Sequence, residues 1–318
     1  MLARFVMRAV GFETFGGPEV MKVLDLPEPR PGHGQVRIRV VAADINISDI
    51  GARNGANGYR PEWFPLHDGP YVVGWDAAGV IDEVGEGVDT FKPGDAVLAL
   101  LHPKLTLGAQ AEFVVADIAS VVAAPRGKTL VEASTLLMNA VTARVLLDTL
   151  GLSRGDAIAV TGAAGAVGGY AVQLAKADGL HVIADASDAD RDLVEALGAD
   201  VVVERGKGFA QAVLDTYGPV AGALDSALLD DALVPAVSDD GIIASPRPSQ
   251  SGGHPRGIKS TFEAVFDWLD ATEKLAVVRD AVEAGALTLR VADVYLPDQA
   301  AEAHRRLEAG GVRGRLVI

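Results

Sequence analysis

The 318-residue chain contains no cysteine. That excludes disulfides, thiolate nucleophiles, iron–sulfur clusters and every cysteine-ligated zinc site. Aromatic residues are also few, at 5% of a chain that is 49% hydrophobic. Alanine, valine, leucine and glycine therefore supply the apolar mass, a composition suited to helices packed on parallel strands. Basic residues are outnumbered, 28 against 43 acidic ones, for a net charge of −15. A surface this negative repels phosphate backbones and anionic headgroups, which argues against nucleic-acid and membrane partners; it also simply favours solubility. No apolar run reaches the roughly 18 residues of a membrane span. The opening MLARFVMRAV is interrupted by Arg4 and Arg8, unlike a secretory signal. The expectation is a soluble, cytoplasmic protein of about two domains, at roughly 150 residues per domain.

Residues 1–124 carry many short strand signals separated by turns. QVRIRVVAA (35–43), YVVGWDAAGVIDEVGEGV (71–88), KPGDAVLAL (92–100) and AQAEFVVA (109–116) are β-branched and punctuated by glycine and proline. Their spacing predicts a β-barrel-like domain, with the Gly/Pro/Asn-rich segment 51–70 as a long surface loop. The texture changes after Pro125. Residues 129–150 predict one long helix, and from there strand, turn and helix alternate. AIAVTGA (157–163), HVIAD (181–185) and DVVVE (200–204) read as strands; 166–179 and 191–198 read as the helices between them. Further strands are expected at 222–227 and 241–246. This alternation predicts right-handed βαβ crossovers and a parallel sheet. Helices at 274–287 and 300–310 and a closing strand RGRLVI complete the chain.

TGAAGAVGG (161–169) lies between an apolar strand and a helix, where a dinucleotide pyrophosphate binds in such sheets. Ala163 stands where the first glycine of GxGxxG would be, while Gly165 and Gly168 hold the other two places. Asp185, at the end of the next strand, is placed to accept hydrogen bonds from ribose hydroxyls. A plain strand–helix turn and a solvated loop acid are the competing readings of these two features.

Over nearly its whole length the chain resembles the medium-chain dehydrogenase/reductase superfamily, and within it the zinc-free quinone oxidoreductase group. The resemblance rests on AVGFETFGGPEVMKVLDLPEPRPGHGQVRIRVVAADIN, PYVVGWDAAGVIDEVGEGVDTFKPGDAVLAL, GAQAEFVVA, VTA (141–143), AAGAVG and EAHRRLEAGGVRGRLVI, in that order. It implies an α/β fold with a GroES-like β-barrel-type catalytic domain (1–124, completed by 262–318) and a Rossmann doubly wound parallel-sheet domain (125–261). It further implies NAD(P)H as cofactor, a quinone or conjugated enone as substrate, and a homodimer. Asn46, Ser48, Asp49 and Thr142 are the implied catalytic residues. Asn139, Thr142, Gly162, Ala164, Gly165, Ala166, Val167, Gly168, Asp185, Ala186, Ser187, Arg191 and Ser245 are the implied cofactor contacts. Asn and Asp also hold turns through side-chain-to-backbone bonds, so the residues alone leave both roles open for Asn46 and Asp49.

In the zinc-using branch of the resembled superfamily a cysteine and a histidine bind the catalytic metal. Here Asn46 holds the first place, Trp75 replaces the histidine, and the third falls near Met138–Asn139, so no zinc is expected. Without a Lewis acid, ionising an alcohol near neutral pH is difficult, which favours hydride transfer to an acceptor that already delocalises charge. Trp63, Phe64 and Tyr71 are candidates for an apolar wall beside it. An enoyl-thioester reductase and a catalytically silent nucleotide-binding scaffold are the alternatives. Family habit points to NADPH, whereas Asp185, with Asp188 and Asp190 nearby, points to NADH.

Overall fold

A computed structural model of the chain describes residues 6–55, 69–102, 107–248 and 254–318. The chain forms two compact units. Residues 1–138, 269–280 and 289–318 make the first, and residues 139–268 and 281–288 the second.

The first unit is built from short strands: β1 (Val6–Phe12), β2 (Lys22–Pro27), β3 (Gln35–Ala43), β4 (Tyr71–Val72), β5 (Asp76–Val84), β6 (Ala96–Leu100), β7 (Phe113–Asp117) and β8 (Val121–Ala123). Five of them form an antiparallel sheet in the order β7-β3-β5-β6-β8, and β1 pairs with β2 and β4. The period-two pattern decides which face is inside. Along β3, Val36 and Ile38 are fully buried while Arg37 and Arg39 face the other way.

Two expectations about helices need correction. The segment read as a loop from residue 51 begins inside a helix, α1 (Ile47–Asn54). Its start is set by Asn46 and Asp49, whereas Gly51 and Asn54 disguise its end as turn sequence. Residues 56–68, with Trp63 and Phe64, lie outside the described residues. The single helix expected over 129–150 is two, α2 (Leu130–Ala133) and α3 (Leu137–Leu150). Between them the hydroxyls of Ser134 and Thr135 donate to the carbonyls of Val131 and Glu132, and this local bonding competes with helix continuation. The first unit runs past the composition change at residue 125 to Met138, because α2 packs on β3 and β5.

In the second unit β9 (Ala157–Thr161), α4 (Ala166–Asp178), β10 (His181–Ala186), α5 (Arg191–Ala196), β11 (Val201–Glu204), α6 (Phe209–Thr216), β12 (Val220–Asp225), β13 (Val237–Ser245) and β14 (Lys259–Phe262) follow in turn. Their six strands form a parallel sheet in the order β11-β10-β9-β12-β13-β14. Strand order reverses between β9 and β12, the place where open parallel sheets bind ligands at their carboxyl ends.

The chain then passes through α7 (Thr272–Glu283), β15 (Val291–Val294), α8 (Ala300–Glu308) and β16 (Arg315–Val317). β16 returns to the first unit. The Ala43 N–H donates to the Ile318 carbonyl at 2.8 Å and the Ile45 N–H to the Leu316 carbonyl at 2.9 Å. That pairing brings Arg315 to the end of β3.

Candidate functional site

The glycine turn of the second unit leaves β9 at Thr161. Gly162 has φ 68°, and a Cβ there would stand 2.5 Å from Ser226 Oγ. A Cβ on Gly168 would meet the Gly162 carbonyl oxygen at 2.2 Å, so the fold itself forbids a side chain. Gly165 differs. Its Cβ would meet only that same oxygen, at 3.0 Å, a tight contact that a shift of a few tenths of an ångström would relieve. Gly165 caps α4, whose first-turn N–H groups and positive dipole end lie at this turn beside Ala164, Ala166 and Val167. A backbone kept bare at a helix N-terminus suits the pyrophosphate of a dinucleotide.

Asp185 anchors the turn from the neighbouring strand. It is buried, and its Oδ1 accepts the Ala163 N–H at 2.9 Å. Beyond it, the Ser187 hydroxyl donates to Asp190 at 2.6 Å, and the Arg191 guanidinium donates to the Val202 carbonyl at 2.9 Å. Ala186 closes β10 and is buried. On β13, the Ser245 hydroxyl donates to the Arg247 carbonyl at 2.5 Å. Asn139 and Thr142 are both buried and sit three residues apart on one side of α3.

The polar residues of the first unit gather into a buried cluster. Asn46 donates through Nδ2 to Asp44 Oδ1 at 2.8 Å and to Asp76 Oδ2 at 3.3 Å, while its Oδ1 accepts from Arg315 at 2.6 Å. Arg315 also donates to Asp44 Oδ2 at 2.7 Å and to the Ile45 carbonyl. Asp76 accepts the Met138 N–H at 2.8 Å. Asp49 accepts two backbone N–H groups, those of Asn46 at 2.8 Å and Gly74 at 2.9 Å. Asp49 thus holds the entry to α1 through the Asn46 N–H, while the Asn46 side chain bonds to Asp44, Asp76 and Arg315. Ser48 is half-buried on α1, and its hydroxyl meets the Met138 sulfur at 3.9 Å.

Three carboxyl groups face one guanidinium here, so the cluster retains protons. Burial pushes Asp76 well above the usual carboxylate range, helped by the neighbouring Asp44 charge. The contact between the two carboxyl groups works in opposite senses, raising Asp76 and lowering Asp44. Burial also raises Asp44, against the pull of Arg315. Asp49 is pushed up to about 7 by burial, despite its two N–H donors.

Residues 32–126 match the alcohol dehydrogenase GroES-like domain family, and residues 179–318 match the zinc-binding dehydrogenase family. A solved NAD-dependent alcohol dehydrogenase is 31% identical over 98% of this chain and 99% of its own, with a TM-score of 0.84. The quinone oxidoreductase of Coxiella burnetii superposes with a TM-score of 0.85 at 26% identity, covering 98% of this chain and 99% of that one. The chloroplastic quinone oxidoreductase of Triphysaria versicolor is 36% identical over 64% of this chain. The chain belongs to the medium-chain dehydrogenase/reductase superfamily, in its quinone oxidoreductase-like group. The match spans 62% of the length of the Triphysaria protein. The two units are accordingly a GroES-like domain and a Rossmann-type domain, as the resemblance implied.

A dinucleotide fits this medium-chain dehydrogenase/reductase at the bare backbone of Gly165. Zinc does not fit the place its zinc-using relatives employ. The Asn46 amide is bonded on all sides by Asp44, Asp76 and Arg315, and Trp75 is a fully buried indole with no lone pair to offer a metal. The guanidinium of Arg315 already supplies a cation to these carboxylates. Asp44, Asp76 and Arg315 were not singled out from the sequence. Asp76 stands beside Trp75 in the GWD run, the one local signal that marks it.

Proposed function

We propose that this protein transfers hydride from NAD(P)H to a quinone or conjugated enone without zinc. The observation that supports the reading is the Asp44–Asn46–Arg315 contact, which engages the side chain standing at the first metal-ligand place of the resembled zinc-using branch. The bare N-terminus of α4 supports cofactor use. When bound, the reduced nicotinamide supplies the hydride. The names of relatives point the same way: quinone oxidoreductases in Triphysaria and in Coxiella burnetii.

The chain's own residues divide the work. N–H groups at the start of α4 bind the pyrophosphate, and Gly162, Ala164, Gly165, Ala166, Val167 and Gly168 let it approach. Asn139 and Thr142 on α3 contact the nicotinamide half, and Ser48 on α1 contacts the acceptor. Asp49 acts by holding the start of α1 at the Asn46 N–H.

NADH is the favoured cofactor. Among the described residues Asp185 engages one carboxylate oxygen, at Ala163, which leaves the second for a ribose hydroxyl. Arg191 is tied to Val202, so it is not poised for a 2′-phosphate, and Asp188 and Asp190 repel one.

Steady-state oxidation of NADH and NADPH against a 1,4-naphthoquinone, an enone and crotonyl-CoA tests the proposal. Turnover of the quinone or enone, unchanged by a chelator and without stoichiometric zinc in elemental analysis, is expected. Turnover confined to the thioester, or one tightly held zinc per chain, defeats it. A roughly tenfold higher kcat/KM with NADPH would refute the cofactor preference alone.

A further inference from the structure

The connection from β13 to β14 carries His254, whose imidazole stands between two other side chains of the same unit. Its Nε2 lies 2.6 Å from the Oγ of Ser260 on β14. Its Nδ1 lies 3.4 Å from Asp231 Oδ1, in the short helical segment Asp230–Ala236 that follows β12. The His254 side chain is only 5% exposed, whereas Ser260 and Asp231 are both exposed. An imidazole with a hydroxyl on one nitrogen and a carboxylate on the other is the arrangement that activates a serine nucleophile. The carboxylate favours the tautomer with its proton on Nδ1, which leaves the Nε2 lone pair for the Ser260 hydroxyl.

The surroundings of Ser260 supply two further requirements. Among the described residues β14 is an edge strand, paired on one side with β13. The Glu263 N–H donates to the Ser245 carbonyl, and N–H groups alternate sides along a strand, so the Ser260 N–H points to the open edge. A donor there can meet the oxyanion of a carbonyl attacked by the adjacent Oγ. Phe262, two residues on and therefore on the same strand face as Ser260, is 37% exposed and offers an apolar contact. A hydrogen bond that merely pinned the connection to β14 would need neither a carboxylate behind the imidazole nor an outward donor beside the hydroxyl.

We propose that Ser260, His254 and Asp231 form a catalytic centre of their own, which hydrolyses carboxylic esters with small apolar acyl groups. Ser260 Oγ attacks the ester carbonyl carbon while its proton passes to His254 Nε2. The tetrahedral oxyanion collapses, the ester C–O bond breaks, and that proton leaves with the alkoxide as an alcohol. Water then attacks the acyl-serine and gives a proton to His254. The carboxylic acid is released as Ser260 takes that proton back. Asp231 is a positioning residue, acting through His254. This chemistry does not depend on hydride transfer at the nucleotide-type turn.

Hydrolysis of 4-nitrophenyl butyrate by the full chain, beside labelling with a fluorophosphonate and mass mapping, tests it. The wild type should turn over the ester and take up one phosphonyl group, on Ser260. Ser260→Ala should lose at least about 100-fold in kcat/KM while its melting temperature stays close to that of the wild type. His254→Gln should lose both turnover and labelling. Asp231→Asn should lower kcat about tenfold with KM unchanged, the weight of one hydrogen bond to a charged group. Asp231→Glu should restore most of that loss. Unchanged hydrolysis in Ser260→Ala, a label on any other residue, a wild-type kcat in Asp231→Asn or no turnover by the wild type overturns the proposal.

Discussion

The guanidinium of Arg315 donates to the carboxylate of Asp44 at 2.7 Å, joining residues 271 positions apart in a site closed to solvent. Replacing Arg315 by methionine keeps most of the side-chain bulk but leaves Asp44, Asp49 and Asp76 without that positive charge. Breaking such a pair from one side costs about 3–5 kcal/mol. Urea unfolding of Arg315→Met should show this loss at pH 7 and recover part of it at pH 5.5, where the carboxyls take up protons. An unchanged unfolding midpoint would mean that the cluster contributes nothing to stability.

Asp49 gives stability a particular pH dependence. Its folded-state value of about 7 lies above the 3.8 of a free aspartate, so the folded chain holds a proton that the unfolded chain releases. The resulting stability is fully present below about pH 4 and declines as pH rises towards 7. Asp44 and Asp76 act in the same direction. Asp49→Asn removes one titrating group and leaves an amide hydrogen against a backbone N–H, costing roughly 1–3 kcal/mol. The drop in stability between pH 5 and pH 8 should shrink in this variant. A full wild-type slope would contradict the assignment.

His304 acts with the opposite sign. It is fully buried on α8, and its Nδ1 accepts from Arg53 at 3.2 Å. Burial, with Arg53 adding to it, holds its pKa at about 3 instead of 6.5. The unfolded chain binds this proton first, so stability is lost as pH falls from 6.5 towards 3. His304→Gln keeps an acceptor for Arg53 without a titrating ring, and acid unfolding should move to lower pH. In the wild type the His304 and Asp49 slopes oppose each other, so only the single variants expose either one.

Gly165 and Gly168 should separate binding from folding. Gly168→Ala forces a Cβ onto the Gly162 carbonyl, and its melting temperature should drop by several degrees. Gly165→Val should lower the melting temperature less than Gly168→Ala does, while abolishing measurable NADH binding. Full nucleotide affinity in Gly165→Val would show that the pyrophosphate lies elsewhere.

The Rossmann-type half was legible because its evidence is local. A strand, a glycine turn, a helix and an acid at the next strand end all fall within 157–185, and periodicity reports them directly. Even the break in the expected 129–150 helix has a local cause, the hydroxyls of Ser134 and Thr135, but whether they bond back to the backbone or face solvent is not encoded in residue type. The place of α1 was hidden because Gly51 and Asn54 read as turn chemistry, while the signal that starts the helix is the pairing of Asp49 with the Asn46 N–H.

Residue types and their spacing along the chain determined the fold class, the nucleotide-type turn and the absence of thiolate ligands. Tertiary structure alone decided that the Asn46 side chain bonds to Asp44, Asp76 and Arg315. That choice requires β16 to pair beside β3 and bring Arg315 to Asp44. It also decided the charge states, because burial is set by neighbours from distant segments and raises a carboxyl only where water is excluded. The same holds at Ser260. Its contact with His254, and that residue's with Asp231, depends on how the connection from β13 closes onto β14, and no pattern of residue types records such a closure.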